Sequence, residues 1–182
     1  MKITQSLILG LTLGALTIAA PATAKRGSSD EQLSTDVQDA KERFAEKDKS
    51  FNATLKTLTG YVVFPEVAKG GFIVGGAGGR GEVYANGKLI GRAKMSQGSV
   101  GAQVGGQKFA EIIMFKSKSA LKRFQKNRLE LSAQATATAA DQGAAAKAKY
   151  ADGVAIIILP TSGLMAEASV GGQKLTFIAL EE

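Results

Sequence analysis

Between Gly60 and Gly106 the chain places fourteen glycines in 47 residues, about four times the usual frequency. Short strand-like pieces separate them: Tyr61-Val62-Val63-Phe64, stopped by Pro65, then Phe72-Ile73-Val74, Glu82-Val83-Tyr84-Ala85 and Lys88-Leu89-Ile90. Asn86-Gly87 joins the last two, the residue pair preferred by a two-residue hairpin in which both positions take positive φ. Glycine at this density has a physical use in a sheet that curls tightly, because Cβ atoms cannot be accommodated at the crowded points. A strongly curved, Gly-rich sheet is therefore expected.

The elements around this core are of other kinds. Upstream, Ser28 and Glu31 have capping-box spacing, and Leu33, Val37, Ala40, Phe44, Phe51, Leu55 and Leu58 follow a three-four spacing broken only at Lys47. The pattern predicts one long amphipathic helix ending near Gly60, docked on the sheet. Downstream, Lys108–Phe115 reads as a strand and Ser117–Leu131 as a helix. Residues 132–151 are Ala-rich and read as irregular or partly helical. Val154–Leu159, Leu164–Val170 and Lys174–Leu180 read as three strands of a meander. The fold expected is α+β: one mainly antiparallel sheet carrying the N-terminal helix and a second, basic helix.

The first 24 residues combine Lys2, an apolar run from Leu7 to Ala20 and Ala22-Thr23-Ala24, the pattern of an exported signal peptide. On that reading residues 1–24 are removed, 25–58 form the helix and 59–182 the β-rich domain. The protein would then work in the periplasm or outside the cell, peripheral to a membrane. Residues 25–58 hold seven basic and seven acidic side chains, whereas 59–182 hold fifteen basic against nine acidic. The excess favours an anionic partner, and for an exported chain a phospholipid surface is more available than nucleic acid.

Chemistry is constrained by what is missing. The chain has no His and no Cys, which removes the usual general base, the commonest metal ligand and any zinc site of ordinary composition. There is no G-x-S-x-G, no Walker loop and no nucleophile with a base beside it, so a non-enzymatic protein without cofactor or metal is expected. Gly76-Ala77-Gly78-Gly79-Arg80-Gly81 matches G-x-G-x-x-G, but a hairpin strand follows where a dinucleotide site needs a helix. Glu82, Glu111 and Glu167 sit in separate strands and read as solvated or paired carboxylates. The pentapeptide VGGQK occurs twice, at Val104–Lys108 and Val170–Lys174. A Gly-Gly hairpin turn is the favoured reading over an anion-holding nest with Lys108 and Lys174 as phosphate contacts, since no helix follows either copy.

The sharpest functional signal lies between Lys116 and Arg128. Lys116, Lys118, Lys122, Arg123, Lys126 and Arg128 stand in thirteen residues with no acid among them. On a helix, Lys118, Lys122, Arg123 and Lys126 share one arc, while Ala120, Leu121, Phe124 and Leu131 fill another. One face can dock while the other presents charge to an anionic lipid surface, with Arg80 a weaker addition from the Gly-rich segment.

Three segments in this order, VVFPEVAKGGFIVGGAGGRGEV, GSVGAQVGGQKFAEIIMFKSKSALKRF and PTSGLMAEASVGGQKLTF, resemble the SYLF domain family of lipid-binding proteins, over about Leu58 to Leu180. The family's middle Trp-Ser-x-Pro element is absent, the chain reading IGRAKMSQ from Ile90 to Gln97. The resemblance implies a non-enzymatic module for anionic phospholipid. Eukaryotic members are linked to phosphoinositides and actin, neither of which an exported protein would meet. The alternative from another class is a structural or protein-interaction module of the envelope, with an envelope protein as partner and the long helix as its docking element.

Overall fold

The computed structural model describes residues 22–71, 74–100, 106–129, 131, 136–162, 168–169 and 172–180. Two helices open the chain, α1 (Ala22–Lys47) and α2 (Phe51–Thr57). The sheet follows as β1 (Gly60–Gly71), β2 (Val74–Ala85), β3 (Lys88–Val100) and β4 (Gln107–Phe115). Helix α3 (Lys118–Gln125) then precedes β5 (Thr136–Ala139), β6 (Val154–Ser162), β7 (Ala168–Ser169) and β8 (Lys174–Ala179). The fold is α+β, as the sequence pattern requires.

The single long helix expected to end near Gly60 is instead two, and it starts at Ala22 rather than Ser28. The apolar spacing is kept across the break, with Leu33, Val37, Ala40, Phe44, Phe51, Leu55 and Leu58 all buried. Asp48 makes the break. Its buried carboxylate accepts from the Ser50 amide (2.8 Å) and hydroxyl (2.7 Å), and from the amides of Gly143 (3.0 Å) and Ala145 (2.7 Å). An aspartate that offers the backbone such partners competes with helix continuation.

The strands lie in the order β7-β5-β6-β4-β1-β2-β3-β8, antiparallel except for β5 beside β6. The Asn86-Gly87 hairpin forms as expected, with φ of 49° and 76°. Curvature follows from one contact. β8 stands four strand spacings from β4, about 19 Å on a flat sheet. Yet Gln173, next to β8, donates to Glu111 on β4 at 3.1 Å. The curl uses glycine at Gly81, where a Cβ would run into the Val63 carbonyl oxygen and the Phe64 ring of the neighbouring strand.

Strand alternation divides the core in two. Val62, Phe64, Val83, Phe109, Ile113, Phe115, Ile156 and Leu175 fill the inside of the curl with Leu121 and Phe124 of α3. Tyr61, Val63, Tyr84, Ile112, Met114 and Ile157 face the other way, under α1, α2 and residues 140–150. The Ala-rich stretch, expected to be irregular or helical, supplies β5 and then a turn over 142–147, whose small side chains let it lie close to the sheet.

The three C-terminal strands do not form a meander. β6 pairs with β4 and β5, β7 with β5, and β8 with β3 at the far edge. The VGGQK copies are likewise not hairpin loops among the described residues: Gln107 opens β4 and Lys174 opens β8, and neither strand pairs with the one before it. Gly172 does adopt φ +74°, so a turn conformation is kept without a hairpin. Period-two alternation reports a strand but not its neighbour, so the pairing is not written in it.

Candidate functional site

The pairing registers bring Gly60, Ala85, Phe115 and Val154 side by side across β1, β2, β4 and β6, which defines one end of the sheet. Helix α3 covers this end. A Cβ on Gly60 would meet the Leu121 side chain, and Gly153 (φ +80°) lies against Ser117 and Ala120. Ser117 is the N-cap, its Oγ accepting from the Ala120 amide at 3.2 Å. Ala120, Leu121 and Phe124 are buried, with Phe124 stacked on Phe115 at 5.3 Å and edge-on to Phe177 at 5.8 Å.

The helix ends at Gln125, six residues before the expected Leu131, for a local reason. Asn127 takes the left-handed conformation (φ 54°), and the amides of Asn127 and Arg128 bond back to Phe124 and Arg123, a Schellman stop. Asn127 Oδ1 also accepts from the Phe177 amide at 2.7 Å, on the outer edge of β8. Asn127→Ala is expected to destabilise the protein by about 1–2 kcal/mol, read as a lower midpoint in urea, because alanine is strained at positive φ and leaves that amide unbonded.

The charged side of α3 faces solvent. Lys116, Lys118, Lys122, Lys126 and Arg128 are exposed, and among the described residues none forms an ion pair. Lys116 Nζ lies 5.3 Å over the Tyr150 ring. Arg123 differs from its expected role: it is half-buried, and its guanidinium donates to the Asp152 carbonyl at 2.7 Å, holding the 152–153 turn. The first turn of α3 carries no acid, so its dipole adds to the positive field. Two further exposed lysines arrive at the same end through tertiary structure alone. Lys88 follows the Asn86-Gly87 turn, and Lys56 lies in the last turn of α2, shortly before the Thr59 amide donates to the Phe115 carbonyl (3.1 Å).

The remaining sequence candidates lie elsewhere. Lys108, the second residue of β4, and Lys174, the first of β8, lie at the opposite end, and Lys108 pairs with Glu66 at 3.0 Å. Arg80 sits under α1, donating to Asp30 (2.7 Å) and Ser29 (2.9 Å). Arg80, Lys108 and Lys174 therefore do not join the basic end. The G-x-G-x-x-G segment lies wholly within β2.

Two carboxylates expected to be solvated or paired are buried. Glu82 accepts from Ser34 and Tyr84 and stands 3.5 Å from Arg92, beneath α1. Burial, followed by the Glu82 hydrogen bond and charge, raises the Tyr84 hydroxyl. Burial also lowers Lys41, against the opposing pull of Glu82, and its ammonium lies 5.1 Å over the Tyr84 ring. Glu111 points the other way, into the curl with Phe109 and Ile113. Burial pushes it up to about 7, with the Gln173 bond pulling the other way. Glu167 and the signal segment before Ala22 lie outside the described residues. Among those described, no three His, Cys, Asp or Glu side chains cluster as a metal site, and no helix is long and apolar enough to cross a membrane.

A family model described as Ysc84, Las17-binding protein actin regulator, matches residues 96–178. The match is to a Ysc84 (SYLF) domain. It spans the end of β3, β4, α3 and the C-terminal strands up to Ile178, so the whole basic helix falls inside the Ysc84 segment. The Ile90–Gln97 stretch that lacks the tryptophan element is an ordinary part of β3 at its border. No curated protein matches the chain.

Proposed function

We propose that this chain is an exported, non-enzymatic protein that binds anionic phospholipid surfaces peripherally, through the basic end of its sheet. The observation that carries the reading is the division of α3: its apolar side caps the core, while Lys118, Lys122 and Lys126 project without ion-pair partners among the described residues. Lys56, Lys88, Lys116 and Arg128 widen the same end. At about 1 kcal/mol per basic residue near an anionic leaflet, several such contacts give a useful interaction that salt weakens. The Ysc84 family description names a binding partner, Las17, and supports a binding module rather than a catalyst.

Flotation with vesicles of phosphatidylcholine, with and without phosphatidylglycerol, tests this. Binding is expected only with the anionic lipid, and to fall as salt rises. The triple variant Lys118→Gln, Lys122→Gln, Lys126→Gln should bind roughly 100-fold more weakly. Arg123 is kept in that variant because it holds the Asp152 turn. Equal binding by the variant would remove the α3 lysines from the contact, and no flotation at any salt would remove the lipid reading and leave an envelope protein as the partner to seek.

A further inference from the structure

Inside the curl the chain buries one acid against one amide. Glu111 of β4 is completely buried, and Gln173, the residue before β8, is 3% exposed. Gln173 Nε2 donates to Glu111 Oε2 at 3.1 Å, which leaves Glu111 Oε1 and Gln173 Oε1 buried without a partner among the described residues. The surroundings supply neither a donor nor a countercharge. Phe64 and Ile158 flank Glu111 across the β1 and β6 registers, and the side chains that β2, β3, β5, β8 and α3 add to this core are apolar. The other buried acids lie on the far face of the sheet, Glu82 beneath α1 and Asp48 against the amides of Gly143 and Ala145. One proton resolves both orphaned atoms. Placed on Glu111 Oε1 and donated to Gln173 Oε1, it closes an eight-membered acid–amide ring, with two hydrogen bonds in place of one. Without it, a buried negative charge faces a single N–H and two acceptors stay unbonded, a cost that water entry relieves.

We infer that Glu111 and Gln173 form a proton-operated clasp: neutral Glu111 holds the start of β8 against β4 and closes the curl, and ionised Glu111 lets it go. The position suits release. Among the described strands β8 has a neighbour on one side, β3, and Gly172, just before the clasp, stands at φ +74° in open space, where the backbone can turn. Farther along, Phe177 seats the strand on α3, through its ring against Phe124 and its amide on Asn127. The clasp therefore acts on the strand that holds the stop of the basic helix. Burial pushes Glu111 up to about 7, against the pull of the Gln173 bond, and no charged neighbour contributes. The raised value fixes the sign: the clasp is closed below about pH 7 and opens as pH rises through it.

Nuclear magnetic resonance of the isotope-labelled protein tests this in the folded state. The Glu111 carboxyl carbon should titrate with a midpoint near 7. Backbone order parameters of residues 173–175 should stand at about 0.85 at pH 6 and fall below about 0.6 at pH 8, while those of β1 and β2 hold. Glu111→Gln keeps a donor at any pH, so its order parameters should stay near about 0.85 at both. A carboxyl carbon that titrates near its ordinary 4.5 would refute the clasp, and low order at pH 6 would show that no closed form exists. Residues 173–175 that keep their order at pH 8 while the carbon titrates near 7 would refute it too, because the proton then binds without moving the strand. Loss of order in Glu111→Gln as well would assign the motion to another group and overturn the proposal.

Discussion

Glu111→Gln is expected to stabilise the protein above pH 7 by roughly 3 kcal/mol, and to remove a pH dependence the parent shows on the acid side of neutrality. Glu111 is fully buried inside the curl; its Oε2 accepts from Gln173 Nε2, while its Oε1 and the Gln173 Oε1 have no hydrogen-bond partner among the described residues. Both orphaned atoms are acceptors when the acid is ionised. A proton on the carboxyl turns one into a donor, and this is the chemical sense of a group pushed up to about 7 from 4.5. The folded state therefore holds the proton more tightly than the unfolded chain. The stability this group contributes is complete below about pH 4.5 and is lost as pH rises from there through about 7. Gln at 111 has a permanent donor and cannot ionise. Thermal melts of parent and variant across pH 4 to 8 should separate with rising pH, by about 10 °C at the alkaline end. Parallel curves would show that Glu111 ionises in the fold as it does in water.

Asp48→Ala is expected to be damaging at neutral pH. The carboxylate serves donors from two distant parts of the chain, the Ser50 amide and hydroxyl and the amides of Gly143 and Ala145. Burial alone would raise this acid, but the bonds from Ser50, Ala145 and Gly143 together outweigh it and hold Asp48 below the ordinary carboxylate value. Its contribution is thus present above about pH 4 and lost as pH falls below it, the opposite sign to Glu111. Alanine leaves buried amides unbonded, each worth about 1–3 kcal/mol, so a loss of roughly 3–5 kcal/mol is expected in urea unfolding at pH 7. Asp48→Asn, which keeps acceptor capacity on one atom, should recover part of it. A loss below about 1 kcal/mol for Asp48→Ala would show that water replaces the carboxylate at all three amides.

How much of the molecule is legible in the sequence follows from the range over which each signal acts. The Asn86-Gly87 hairpin, the buried face of α3 and the apolar spacing from Leu33 to Leu58 are set by residues a few positions apart, and all appear where the sequence places them. The helix break at Asp48 is not legible locally, because its deciding partners, Gly143 and Ala145, lie 95 and 97 residues away. Asn127 does carry a local signal for the end of α3: asparagine tolerates the left-handed conformation and can stop a helix as glycine does.

The sequence by itself determined the curved Gly-rich sheet, the amphipathic N-terminal segment and the cationic face of α3, because propensity, periodicity and charge spacing are properties of neighbours along the chain. Only the tertiary structure decided that β1 and β4 pair in the middle of the sheet, that β8 crosses to its edge, and that Glu82 and Glu111 are buried on opposite faces. It alone brought Lys56 and Lys88 to the end that α3 covers, while sending Arg80, Lys108 and Lys174 away from it. The reason is that side-chain alternation records which face of a strand is buried, whereas the neighbour across the sheet is chosen by packing over the whole fold.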